Sequence, residues 1–179
     1  MSDTIIDIID DEGIGAVPKI VDRMKRFGFE YATKSGTTWG IDNVIVPKEK
    51  PAIIATHRAM EAAIKAQFED GLLSEEERYQ SVISIWNKAK AEIEKALPAT
   101  IEKHGSVYDM ITSGARGTVS NVTQMAGMKG MIQNTTGRTI DFPIIPSYKE
   151  GLSPIEYFIT THGSRKGLAD TALQTAKAG

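Results

Sequence analysis

Apolar residues along the chain follow two different spacings. Residues 4–27 read as helix, interrupted around Gly13 and Gly15. After the break, Val17, Ile20, Val21, Met24 and Phe27 recur at intervals of one, three and four, giving a single apolar face. The next stretch, FGFEYATKSGTTWGIDNVIVP, has no helical period. It is rich in glycine, threonine and aromatics and closes on the β-branched run Val44, Ile45, Val46 before Pro47, a pattern that predicts short strands and turns.

The helical period returns from Pro51. Ile53, His57, Met60, Ile64 and Phe68 keep a three-four spacing up to Asp70-Gly71, a helix stop. After two leucines, SEEE opens a second helix: Ser74 can cap it while Glu77 reaches back to the Ser74 backbone. Tyr79, Val82, Ile83, Trp86, Ile93 and Leu97 line that helix until Pro98. Two helices joined by about three residues must run antiparallel, each roughly 30 Å long at 1.5 Å per residue. The sequence therefore predicts a projecting α-hairpin, and its plain reading is a two-helix coil whose apolar seam closes on itself.

Residues 107–133 show helical spacing on either side of SGARG, and TTGRTIDFPIIP then reads as a turn at Gly137 and a short strand with Ile140, Phe142 and Ile144 alternating. Lys149-Glu150-Gly151 leads into a last helix, with Ser153 as N-cap, Pro154 at the first helical position and Glu156 completing a second capping box. About 25 residues make a rod of roughly 37 Å. The expected fold is mainly α with short β segments: an entry segment with short strands at 1–50, the α-hairpin at 51–98, a helical and loop region at 99–150, and a long C-terminal helix at 151–179. No internal repeat or low-complexity linker interrupts this order.

Composition narrows the classes. Lys plus Arg number 21 and Asp plus Glu 23, so a whole-surface nucleic-acid footprint is excluded although a local basic patch is not. There is no cysteine, which removes disulfides and thiolate metal sites and fits a reducing cytosol. MSDTIIDIIDDEGIG lacks the basic n-region and apolar run of a signal peptide, and no stretch approaches the roughly eighteen apolar residues of a membrane span. The expectation is a soluble, cytoplasmic protein with no membrane partner.

Familiar catalytic patterns are missing. His57, His104 and His162 are far apart and form no HExxH pair, and His57 and His104 read as ordinary surface or helix residues. GMKG at 127–130 lacks the strand and the Lys-Ser/Thr ending of a phosphate loop. Two features stand out. In SGARGT, residues 113–118, Arg116 sits among glycines that let backbone approach a ligand, and a guanidinium suits a phosphate or carboxylate. The bland alternative is a helix-helix corner with a surface arginine. In THGSRKG, Gly163 and Gly167 fall on one helical face, followed by Ala169, Ala172, Thr175 and Ala176, with Arg165 and Lys166 beside it. Such a stripe lets a bulky neighbour pass or the helix bend, and tight packing on another helix explains it equally.

Four colinear blocks then carry a resemblance: GFEYATKSGTTWGIDNVIVP at 28–47, GLLSEEERYQSVISIW at 71–86, SGARGTVSNVTQMAGMKGMI at 113–132 and KEGLSPIEYFITTHGSRKGLADTALQTA at 149–176. Together they closely resemble the largest catalytic subunit, beta-prime, of bacterial multisubunit RNA polymerases. The resemblance implies that the hairpin is the pair of rim helices of the secondary channel, that 113–146 packs beside the bridge helix, and that the helix from Pro154 is the N-terminal part of the bridge helix itself. It implies that the rest of that helix and the trigger loop follow Gly179. It places Arg116 near the incoming triphosphate, makes Thr175 and Ala176 the small residues facing the template base pair, and gives Gly163 and Gly167 a role in bending. Arg165 and Lys166 support either nucleic-acid backbone or neighbouring protein.

The chain departs from the family at Gln174 and Thr123, where a Lys and an Arg are common, and at Ser81, where some relatives carry a Lys that takes part in alarmone binding. By the same resemblance the catalytic aspartates and their Mg²⁺ lie upstream of residue 1, so no residue of this chain is expected to be catalytic or to hold a metal or other cofactor, and the chain alone is expected to lack polymerase activity. The implied partners are the alpha, beta and omega subunits, the remainder of beta-prime, DNA template, RNA, nucleoside triphosphates and secondary-channel factors. The rival reading is a stand-alone helical-hairpin interaction module.

Overall fold

A computed structural model describes residues 2–179. The chain divides into two compact units, one ending at Trp39 and one running from Gly40 to Gly179. In the first, α1 (Ser2–Glu12) and α2 (Val17–Ser35) are joined by a turn in which Gly13 takes φ 80° and its N–H donates to the Ile9 carbonyl at 3.0 Å. Ile5 and Ile8 of α1 and Val17, Ile20 and Val21 of α2 are half-buried, whereas Phe27, 63% exposed, and Tyr31 are open.

The strands expected within 28–47 are not formed. Helix α2 continues to Ser35, where Gly36 caps it at φ 62°. Pairs one helical turn apart explain the extension: the rings of Phe27 and Tyr31 lie 4.5 Å apart, Lys34 pairs with Glu30 at 2.5 Å, and the Thr33 hydroxyl donates to the Phe29 carbonyl at 2.8 Å. The β-branched run that follows is loop, preceded by a single 3₁₀ turn at Ile41–Asn43. Val44 is nonetheless buried, so its apolar character serves packing rather than a sheet.

The second unit is organised by the hairpin of α3 (Lys50–Glu69) and α4 (Glu75–Ala96). Gly71 makes the turn at φ 74°, and Ser74 and Glu77 form the expected capping box, the Ser74 N–H donating to Glu77 Oε2 at 2.8 Å. The seam does not close on itself. Ile54, Val82, Trp86, Ala89 and Ile93 form one core cluster together with Met128, and Met131 and Ile145 pack onto it from the loop side. Three helical turns of α4 thus bury residues against a third, non-helical layer. His57 lies in this seam rather than on the surface, 4% exposed, with Nδ1 2.9 Å from the Ile53 carbonyl.

A second cluster joins Val44, Leu97, Val107, Val122 and Ala126 around the short helices α5 (Ser106–Thr112) and α6 (Val119–Val122). A π turn at Thr123–Gly127 follows α6 and brings Gly127 so close to α4 that a Cβ there would stand 3.0 Å from Ile93 Cγ2 and 3.2 Å from Leu97 Cδ1. The short strand expected near 140–144 is reduced to isolated antiparallel bridges, Gly130 with Ile144 and Gln133 with Thr139. Gly137, Pro143 and Pro146 punctuate the segment and keep any ladder from growing. The long helix α7 (Pro154–Ala178) begins at the predicted Ser153–Glu156 capping box. Among the described residues no helix is long and apolar enough to cross a membrane.

Candidate functional site

The SGARGT loop is shaped by the helix ends on either side of it. The Ser113 N–H donates to the Asp109 carbonyl at 3.1 Å and Gly114 to Ile111 at 3.2 Å, closing α5 with Gly114 at φ 69°. On the other side Thr118 caps α6, its N–H and hydroxyl both donating to Asn121 Oδ1 at 2.9 Å. Gly117, at φ 85°, makes the reversal that L side chains rarely adopt. Arg116 is exposed in between, and among the described residues its guanidinium has neither a hydrogen bond nor an ion pair. The loop is a corner between helices with an arginine on its surface, and no carboxylate of this unit neutralises that charge.

Thr123 stands one turn further on and is fully buried, its hydroxyl donating to the Val119 carbonyl at 2.9 Å. It offers no polar atom to a ligand beside Arg116. Ser81 is half-buried on α4 and Gln174 exposed on α7.

Along α7 the two glycines have different surroundings. Glu156, Ile159, Thr160, Gly163, Lys166 and Asp170 are buried or half-buried at intervals of one, three and four, marking the packed face. Gly163 lies on it, and a Cβ there would stand 3.3 Å from Ile132 Cγ2. Gly167 is exposed with nothing within 4 Å of that position. The side chain of Lys166 is paired with Asp170, while Arg165 is exposed and has no such pair. From Thr171 to Gly179 every residue is exposed, including Thr175, whose hydroxyl donates to the Thr171 carbonyl at 2.7 Å, and Ala176. The last two turns therefore present Ala172, Thr175 and Ala176 to solvent, alongside the larger Leu173, Gln174 and Lys177. Arg116 makes no hydrogen bond or ion pair with any of these helix residues.

Two polar connections that sequence spacing did not reveal hold these parts in place. Lys50, in the first turn of α3, is buried and paired with Glu150. Burial pushes the Glu150 carboxyl up, yet its hydrogen bonds with Lys50 and with the Ser147 N–H and hydroxyl prevail and hold it below the usual carboxylate range. Arg78 of α4 joins Glu75, at 2.6 Å, to Asp141, at 2.7 Å, and both carboxylates raise its own affinity for its proton. Glu75 stands three residues before Arg78 on the same helix, whereas Asp141 lies far along the chain. Among the described residues no group of three or more His, Asp or Glu side chains is placed to hold a metal ion.

Among the described residues, then, Arg116 and Arg165 are exposed without an ion pair, and α7 ends in exposed turns that carry Thr175 and Ala176. Residues 73–157 match the family described as RNA polymerase Rpb1, domain 4, and residues 151–179 match RNA polymerase Rpb1, domain 5. The chain belongs to this family of RNA polymerase largest subunits. It is 48% identical to the DNA-directed RNA polymerase subunit beta-prime of Moorella thermoacetica over 167 residues, 93% of this chain and 14% of that protein. It is 50% identical to the subunit of the same name from Halalkalibacterium halodurans over 161 residues, 90% of this chain and 13% of that one. The Geobacillus kaustophilus subunit is 49% identical over the same length and shares. The chain thus spans about one seventh of the length of the curated relatives it matches.

Proposed function

We propose that the chain serves as an internal segment of a DNA-directed RNA polymerase beta-prime subunit in the cytoplasm, lining the secondary channel and the cleft where nucleotides are added to RNA. Colinear identity near one half over 93% of the chain carries this reading. Its work is positioning. The free guanidinium of Arg116 forks onto phosphate oxygens of an incoming nucleoside triphosphate and holds its charge while the base pairs with template. The exposed Thr175 and Ala176 turn of α7 lets the new base pair slide past, Gly163 and Gly167 lower the cost of bending the helix, and Arg165 meets nucleic-acid backbone or neighbouring protein. Mg²⁺, which supplies the metal chemistry of nucleotidyl transfer, is held by residues outside this chain. The partners are the other polymerase subunits, the remainder of beta-prime, template, RNA, and factors that dock on the α3–α4 hairpin.

The test replaces the matching segment of a relative's beta-prime with residues 28–179 of this chain and reconstitutes the polymerase. Templated RNA synthesis within a few-fold of the parent supports the reading. A chimera that assembles with its partner subunits but makes no RNA contradicts it.

A further inference from the structure

Helix α4 grips the 128–145 segment at two places, and one of them is polar. At the far end Met128 enters the apolar seam. At the near end Arg78 Nη1 forms an ion pair with Asp141 Oδ2 at 2.7 Å while Nη2 and Nε donate to Glu75 at 2.6 and 3.1 Å. The Phe68 ring of α3 lies 5.6 Å from the guanidinium carbon. Next to it the Tyr79 hydroxyl donates to the Thr139 carbonyl at 2.8 Å, and Arg138 lies over the Tyr79 ring at 4.6 Å. The Arg78 and Asp141 side chains are only 22% and 26% exposed, so water weakens their attraction less than that of an open surface pair.

From Asp141 the route to α7 is short. The Ile140 N–H donates to the Ile132 carbonyl at 2.8 Å, and the Gln133–Thr139 bridge keeps the two stretches side by side. Ile132 is buried and lies against α7 at Gly163, where an added Cβ would stand only 3.3 Å from its Cγ2. The neighbouring Thr160 hydroxyl is buried with no partner, so this part of α7 is seated by packing and no side-chain hydrogen bond from Thr160 pins it.

We propose that Arg78 is a positioning residue for α7: by holding Asp141 against the hairpin, beside the Tyr79–Thr139 hydrogen bond, it keeps Ile132 seated under Gly163. The consequence for nucleotide addition rests on the function proposed above. Removing either charge lets the 138–141 stretch lift, and the helix loses its support at the point where glycine makes it most bendable.

Amide hydrogen exchange on the full chain tests this with Arg78→Gln, Asp141→Asn and the double variant. The expected result is about a tenfold loss of protection at Ile140 and from Ile159 to Lys166 in each single variant, with α3 amides from Ile53 to Ile64 unchanged. The double variant loses no more than either single one, because both break one link, and Arg78→Lys recovers part of the protection. If Arg78→Gln fails to fold, the isosteric Asp141→Asn asks the same question alone. Equal loss in α3 and α7, or no change in α7, overturns the proposal. Asp141→Asn placed in the chimeric polymerase should change the nucleotide-addition rate at least threefold. An exchange effect without a rate effect upholds the positioning and counts against the role proposed for α7.

Discussion

Lys50 and Glu150 lie one hundred residues apart and form an ion pair in which the lysine is buried and the glutamate about one-third exposed. The pair ties the start of α3 to the turn that launches α7. Because the folded state lowers the Glu150 pKa, its contribution is present above the unfolded carboxylate value and is lost as pH falls through the folded one. Urea unfolding from pH 7 down to pH 3 should show a decline that Glu150→Gln flattens. At pH 7 that substitution leaves the lysine unpaired and should cost about 2 kcal/mol, less than for a fully buried pair because water reaches the carboxylate.

Glycines give a graded prediction, since each differs in what a methyl group would meet. Gly127→Ala drives a Cβ against Ile93 and Leu97 and should destabilise by about 1–3 kcal/mol. Gly167→Ala meets nothing and should stabilise α7 by up to about 1 kcal/mol. Gly163→Ala gains the same helix propensity but presses on Ile132, so its net effect should fall below that of Gly167→Ala. Denaturant midpoints of the three variants check the order.

Helix α7 should not behave as one cooperative rod. The sequence alone leads to weak exchange protection from Tyr157 onward, because a helix built for neighbours frays without them. Burial divides it further along: the packed face persists to Asp170, and everything beyond is exposed. Amide exchange should be slow around Thr160 to Lys166 and fast from Thr171. Ser153→Ala removes the cap and should cost about 1 kcal/mol.

The helical elements were legible because their signals are local. The Ser74 and Ser153 boxes and the three-four spacing of α3 and α4 act within one or two turns, and the structure follows them closely. Within 28–35, glycine, threonine and aromatics suggest strand by type, while the Phe27–Tyr31 and Glu30–Lys34 pairs favour helix by position. What could not be read were contacts set by tertiary packing, such as Met128 completing the hairpin seam, His57 buried within it, and Asp141 reaching Arg78. At the candidate site, composition marked Arg116 and the glycines as unusual. Only the tertiary fold separates Gly163, which is packed, from Gly167, which is open, and Lys166, which is paired, from Arg165, which is not.

On the proposed assignment of metal binding to residues outside it, this chain alone, given primed template and nucleotides, should incorporate none above the blank. Incorporation would place bond-forming chemistry within residues 1–179.

Arg116 and the phosphate it is proposed to hold carry the central claim. In the chimeric polymerase, Arg116→Ala should raise the KM for nucleoside triphosphates roughly 10- to 100-fold, the loss of one charge-assisted contact, with Arg116→Lys intermediate and subunit assembly intact. An unchanged KM in an assembled, active enzyme would contradict it.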